Sequence, residues 1–183
     1  MRKNSVTDYA YILFDTALGR CGLAWGAAGL RAVSFTHGDD AATVAHLKKR
    51  APGAVETENP PPEIARLIED VIALFEGGKR DLSYAMLDAE GVEPFDLSVI
   101  ELTKDIGPGE LKTYGDLARA LGDVGHARRV GQALGRNPFP IVVPCHRVVG
   151  AGGAMTGFSA PGGAVLKRRL LKIEGALEPE LFD

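Results

Sequence analysis

Residues 137–150 read Asn137-Pro138-Phe139-Pro140-Ile141-Val142-Val143-Pro144-Cys145-His146-Arg147-Val148-Val149-Gly150. Pro140 and Pro144 flank the apolar triplet Ile141-Val142-Val143. Each fixes φ and removes a backbone donor, so the expected form is a rigid, extended segment with the triplet buried. Cys145 is carried on that segment beside His146 and Arg147, a setting that lowers a thiol pKa from its ordinary value near 8.5. On the residues alone, the bland alternative is a cysteine that serves as a small buried hydrophobe.

N-terminal to this segment, the spacing predicts helices over 113–121 and 126–135, joined by a tight turn at Gly122. This is the pattern of a helix-turn-helix, in which the second helix, here carrying Arg128 and Arg129, meets DNA. An αα-hairpin packed for its own sake has the same spacing. Upstream, Leu97, Ile100, Leu102 and Ile106 predict one more helix, closed by Gly107-Pro108-Gly109. Downstream, a glycine-rich loop precedes a last helix over 164–174.

The first half has a different texture. Apolar and aromatic runs at 9–15, 21–25 and 30–35, separated by glycine-bearing turns, predict a small antiparallel meander. Residues 43–50 have helical spacing. Ile64, Leu67, Ile68, Val71, Ile72 and Phe75 recur at steps of three and four and mark one face of an amphipathic helix. Residues 84–87 are expected as a further strand and 88–94 as a linker. The fold class is thus α/β (α+β), with a mixed N-terminal domain over 1–90 and a helical C-terminal domain over 91–183.

The chain has 183 residues, 45% of them hydrophobic and 25% charged, ordinary values for a globular protein. No apolar run approaches the roughly 20 residues that cross a bilayer, so no membrane association is expected. The stretch after Arg2 and Lys3 is too short for a signal-peptide core. With two cysteines, Cys21 and Cys145, and no CxxC pair, the default setting is the reducing cytoplasm and no disulfide framework is supported. Cys21, His37 and His46 are too few to close a zinc site, so no metal is expected. The net charge of −3 hides an asymmetry. Residues 1–90 carry 10 Lys/Arg against 13 Asp/Glu, whereas residues 112–172 carry ten Lys/Arg against Asp116 and Asp123. A local excess of +8 is the footprint of a polyanion partner, or else a solvated basic face.

With these residues in view, the stretch 144–150 resembles the active-site signature of the O6-alkylguanine-DNA alkyltransferases. The resemblance extends through Thr113-Tyr114-Gly115-Asp116-Leu117-Ala118, Arg128-Arg129-Val130-Gly131-Gln132-Ala133-Leu134, Gly135-Arg136-Asn137-Pro138, Thr156-Gly157-Phe158 and Leu170-Leu171-Lys172-Ile173-Glu174. It is dense over 108–175 and thin over 1–95. It implies a DNA repair protein that moves the alkyl group of O6-alkylguanine, with O4-alkylthymine a further candidate, irreversibly onto its own Cys145. The base is flipped out of the duplex for this step. No cofactor is needed, and the partner is double-stranded DNA met by a monomer.

The resemblance also implies roles. Cys145 would be the nucleophile, His146 its base through a bridging water, and Glu174 the group that orients His146. Tyr114 would protonate the departing guanine, and Arg128 would fill the gap in the stack. Asn137 would tie the helix-turn-helix to the active-site segment. Arg129, Arg136 and Tyr114 would contact DNA, and Val148, Phe158 and Ser159 would form the substrate pocket. Three departures bear on that pocket. Val99-Ile100 replaces a frequent Val-Trp, Phe158 replaces a usual tyrosine, and the loop at 159–163 is about two residues longer. A non-catalytic lesion-recognition or regulatory DNA binder is the main alternative, and a cysteine hydrolase using Cys145 and His146 is the weakest.

Overall fold

The computed structural model describes residues 8–122 and 124–178. Arg2, Lys3 and Asp123, which enter the readings above, lie outside the described residues. Strands β1 (Ala10–Thr16), β2 (Gly19–Gly26) and β3 (Gly29–Ser34) pair antiparallel through two-residue turns, as the meander predicts. Gly29 shows what the second turn demands. Its φ is +122°, and a Cβ there would stand 2.5 Å from the Met86 carbonyl oxygen, so the position excludes a side chain twice over. A short strand β4 (Val55–Glu56) adds parallel to β1, giving the order β3-β2-β1-β4. Both of its residues are exposed, so no hydrophobic run announces it.

Helix α1 (Asp40–Lys48) is capped by Asp39, whose carboxylate accepts from the Ala42 N–H at 2.7 Å. Helix α2 (Pro62–Phe75) starts on a proline, where the missing N–H has no partner to lose. It buries Ile64, Leu67, Val71, Leu74 and Phe75 with Phe14, Leu23 and Val33 of the sheet.

Residues 84–87 depart from expectation, for they meet β3 through a single bridge between Leu30 and Leu87. Upstream, the Asp81 carboxylate accepts from the Ser83 N–H and hydroxyl, both at 2.9 Å, and holds the chain in a turn. The Tyr84 hydroxyl is drawn to Asp70 at 2.7 Å, so pairing is left to one residue. The stretch 88–94 is likewise pinned rather than slack. Asp88 is buried and accepts from Arg31 at 3.1 Å.

The second half holds α3 (Pro94–Lys104), β5 (Lys112–Thr113), α4 (Tyr114–Ala120), α5 (Ala127–Gly135), β6 (Val148–Val149) and α6 (Gly163–Ile173). A capping box starts α4: the Asp116 N–H donates to the Thr113 hydroxyl at 3.0 Å, and the Thr113 N–H donates back to Asp116 at 2.8 Å. Helices α3, α4 and α5 share a core of Val99, Leu117, Val130 and Leu134, which places α4 and α5 as the expected helix-turn-helix. Parallel pairing of Lys112 with Val148 and Thr113 with Val149 ties the start of α4 to the segment that carries Cys145.

That segment is wound, not extended. The Val143 N–H donates to Phe139 O at 2.8 Å, and Cys145–Arg147 form one turn of 3₁₀ helix. The cause is Asn137, whose side chain accepts from the Phe139 N–H at 2.9 Å and donates to Val143 O at 3.0 Å, clamping the loop from inside. Within the loop Ile141 has φ +76°, rare for a β-branched residue. Its complete burial holds it there.

The main core crosses residue 90. Phe139, Ile141, Val142, Val143 and Leu170 pack with Phe14, Leu23, Val33 and Leu67, and the Val33 N–H donates to Pro138 O at 3.0 Å. Phe139→Ala, in the second half, is therefore expected to cost about 3–5 kcal/mol. It should also lower the denaturant midpoint reported by Trp25, the lone tryptophan, in the first half. An unchanged Trp25 midpoint would show that the halves unfold independently.

Candidate active site

Glu174 caps the C-terminus of α6, and its carboxylate is buried. One oxygen accepts from His146 Nε2 at 2.9 Å and from Arg147 Nη2 at 2.8 Å, and the other accepts from Arg147 Nε at 2.8 Å. Arg147 also donates to the Ile106 carbonyl. Burial by itself would raise the Glu174 pKa, but the hydrogen bonds and charges of Arg147 and His146 overcome it and hold the carboxyl at about 2. Glu174 is thus an anion throughout the working pH range.

Burial lowers the His146 pKa, and the Glu174 carboxylate only partly opposes this. The imidazole is therefore neutral near pH 7. A ring nitrogen facing an ionised carboxylate carries the proton, so Nε2 is the N–H and Nδ1 the lone pair. Nδ1 is buried and has no hydrogen-bond partner among the described residues.

Cys145 is half-buried at the edge of a cavity of about 260 Å³. The expectation that its neighbours lower the thiol pKa is corrected here. Burial raises it, and the Asn137 amide and the positive charge of Lys167 only partly offset that. Arg147 turns its guanidinium to Glu174 and Ile106, so it stabilises the carboxylate instead of the thiolate. At neutral pH the sulfur is a thiol that needs a base. Cys21, by contrast, is wholly buried and pushed up to about 11 by that burial, an inert thiol.

Lys167 was absent from the candidates and proves central. It is fully buried, donating to the carbonyls of Val148 and Thr156, and its Nζ lies 5.8 Å from the centre of the Tyr114 ring. Burial lowers its pKa to about 8. A signal was present: Lys167, Leu170, Leu171 and Glu174 fall on one helical stripe, so a lysine there shares the buried face. The basic footprint shrinks accordingly, since Arg147 and Lys167 are buried. Arg136 spends its fork on Asp96 with two contacts of 2.7 Å, and Arg129 lies 3.8 Å over the Phe95 ring. Arg128 is exposed on α5.

The Tyr114 hydroxyl donates to Thr156 O at 2.7 Å. Burial raises its pKa, which keeps the phenol protonated. Gly157, in the left-handed region, passes against that hydroxyl, and a Cβ there would overlap it. Asn137, Phe158 and Ser159 line the cavity with Cys145, and Ser159 donates to Gly135 O at 3.2 Å. Phe158 meets Phe35 edge-on, with ring centroids 6.2 Å apart. Tyr114, Val148 and Arg128 do not line this cavity. Val148 is wholly buried in the second core.

Residues 94–176 match the family described as 6-O-methylguanine DNA methyltransferase, DNA binding domain. A methylated-DNA–protein-cysteine methyltransferase of Methanosarcina acetivorans is 38% identical over 167 residues, covering 91% of this chain and 98% of that protein. The fold is similar to the crystal structure of the Mycobacterium tuberculosis O6-methylguanine methyltransferase, with TM-score 0.72, 31% identity and coverage of 96% and 99%. It is equally similar to M. tuberculosis OGT in complex with DNA, at TM-score 0.72, 30% identity and coverage of 91% and 92%.

The buried carboxylate makes an acid-stability prediction. A folded pKa of about 2 against an ordinary 4.5 contributes on the order of 3 kcal/mol of stability above pH 4.5. That contribution is lost as pH falls from 4.5 towards 2. Glu174→Gln should be less stable at neutral pH and should flatten the acid limb in that window when unfolding is followed from pH 7 to pH 2.5. Parallel acid limbs in the two proteins would contradict the assignment.

Proposed function

The chain belongs to the methylated-DNA–protein-cysteine methyltransferase family, and from that premise we propose how its residues carry out the repair of O6-alkylguanine in DNA. It binds DNA and transfers the alkyl group to Cys145 in a single irreversible turnover. Cys145 is the acceptor, and one observation carries this assignment: the cysteine at the cavity edge is followed by a histidine whose Nε2 is hydrogen-bonded to a buried carboxylate.

The steps follow from the electrostatics. With its thiol raised by burial, Cys145 must lose its proton as it attacks. His146 Nδ1 is the acceptor, reached through a water, and Glu174 stabilises the imidazolium that forms. The sulfur bonds to the alkyl carbon as the bond from that carbon to guanine O6 breaks. The electron pair leaves on the purine, which must be protonated to depart well. Tyr114 supplies that proton by exchanging its bond to Thr156 O for one to the base. Lys167, between Val148 and Thr156, fixes the carbonyl that Tyr114 uses in the unliganded protein and lends positive charge beside the developing thiolate. A thioether has no ready leaving route, so the protein is consumed.

On the DNA side, exposed Arg128 on α5 fills the space of the flipped base. Arg129 and Arg136, committed to Phe95 and Asp96, brace α5 against α3 rather than add separate phosphate contacts. The protein acts as a monomer, one alkyl group per molecule, and works where the DNA is. No described helix is long and apolar enough to cross a membrane.

The test is intact-protein mass after incubation with a duplex containing O6-methylguanine, followed by peptide mapping. The expected result is a gain of one methyl group on the Cys145 peptide, saturating at one per protein. Duplex bound without any gain in mass would return the non-catalytic lesion-recognition reading.

A further inference from the structure

Helix α5 ends at the residue that precedes the Asn137 clamp, and that residue is held from outside. Arg136 caps the C-terminus of α5. Its Nε donates to one carboxylate oxygen of Asp96 and its Nη2 to the other, both at 2.7 Å. A two-armed contact of this kind fixes direction as well as distance. The partners are unequal, for the Asp96 side chain is 9% exposed and that of Arg136 is 58% exposed. The carboxylate, in the first turn of α3, is therefore the fixed partner and the arginine is what it holds. Helix α3 is itself seated by buried Val99 and Ile100 and by Lys104, whose Nζ donates to the Ala85 carbonyl at 3.0 Å.

A phosphate is the obvious rival partner for so exposed an arginine. The first turn of α5, however, is pinned separately by Arg129 over the Phe95 ring, and Arg128 stays exposed there. DNA contact through that turn does not need Arg136. What lies next to Arg136 is the chemistry. The Asn137 N–H donates to Leu134 O at 3.1 Å, and its side chain clamps the loop from Phe139 to Val143. The Asn137 amide is also the foremost group that opposes the rise of the Cys145 pKa on burial. Arg136, Asn137 and Cys145 line one cavity.

We propose, on the alkyl-transfer reading above, that Asp96 is a positioning residue for the reaction: by holding Arg136 it fixes the exit of α5, and with it the Asn137 amide beside the sulfur of Cys145. Asp96 touches no reacting atom and acts through two neighbours in turn. Its second oxygen is what matters. An asparagine in its place would turn an amide N–H₂ towards one arm of the guanidinium, donor against donor, and keep a single contact. The exit of α5 is then free to rotate, and the Asn137 amide moves off the thiol. Lys167, Tyr114 and His146 also bear on that thiol. Their hydrogen bonds run to Val148, Thr156 and Glu174, away from Asp96. A change in the titration of the thiol therefore reports on Asn137.

The experiment takes the full chain and the variants Asp96→Asn, Asp96→Glu and Arg136→Lys, the last keeping the charge but losing the fork. Three quantities are measured: the Kd for an unmodified duplex, the single-turnover rate at saturating O6-methylguanine duplex, and the pH midpoint for alkylation of Cys145 by iodoacetamide. A 1 Å displacement at a reacting centre costs about a hundredfold, so Asp96→Asn, a smaller shift, is expected to lose about tenfold in the saturating rate. Its thiol midpoint should move up, while its Kd stays within about twofold of wild type. Arg136→Lys should do the same, and Asp96→Glu should recover both the rate and the midpoint. An unchanged rate and midpoint with an altered Kd would overturn the proposal and give Arg136 to phosphate. A rate that falls only as far as the folded fraction, with the midpoint unmoved, would also overturn it, leaving the pair a purely structural role. Absence of methyl transfer in the wild-type protein would instead sink the alkyl-transfer reading, with the iodoacetamide midpoints still testing the hold of Asp96 on the thiol.

Discussion

The structure is organised around a carboxylate that has no water to rely on. Glu174 sits at the end of the last helix, buried, and is held by the guanidinium of Arg147 and the imidazole of His146. A lone carboxylate in such a place would be neutral. Bound by three hydrogen bonds it is an anion, and that single charge does three things. It fixes the end of α6 to the Cys145–Arg147 turn, it draws Arg147 away from the thiol, and it sets which nitrogen of His146 carries the proton. The proposed reaction at Cys145 depends on the third effect, because a thiol raised by burial needs a base beside it.

The placement of that base depends in turn on both halves of the chain. The loop that delivers Cys145 is clamped internally by Asn137 and packed externally on the sheet through Phe139, Ile141, Val142 and Val143. The unusual backbone of Ile141 persists because its side chain belongs to the main core. The N-terminal half therefore positions the loop as well as forming a wall of the cavity. This explains how a region with thin resemblance to the family can still matter for the site.

Much of this was legible in the residues. Alternation and glycine turns gave away three strands, and the period of Ile64 to Phe75 gave away α2. The flanks of Cys145 identified the family and, through it, the His146–Glu174 pair. What escaped has physical reasons. β4 is two exposed residues with no pattern to read. Tyr84 was diverted from a strand by a side-chain bond to Asp70, a contact invisible to local periodicity. The loop at 137–143 is wound by one asparagine amide, which prolines permit but do not announce. The thiol environment was misjudged because sequence adjacency placed Arg147 next to Cys145, whereas the 3₁₀ turn sends their side chains to different partners. Lys167 is hidden in the count of basic residues over 112–172 because lysine is usually exposed, although its place on the stripe with Leu170, Leu171 and Glu174 marks it as buried.

Glu174, through its bond to Nε2, sets His146 as the Nε2–H tautomer and leaves Nδ1 available as base. Long-range nitrogen–proton NMR correlation of the histidine rings at neutral pH reads this directly. For His146 in the wild-type protein, a protonated Nε2 and a bare Nδ1 are expected. A protonated Nδ1, or an imidazolium at pH 7, would contradict it.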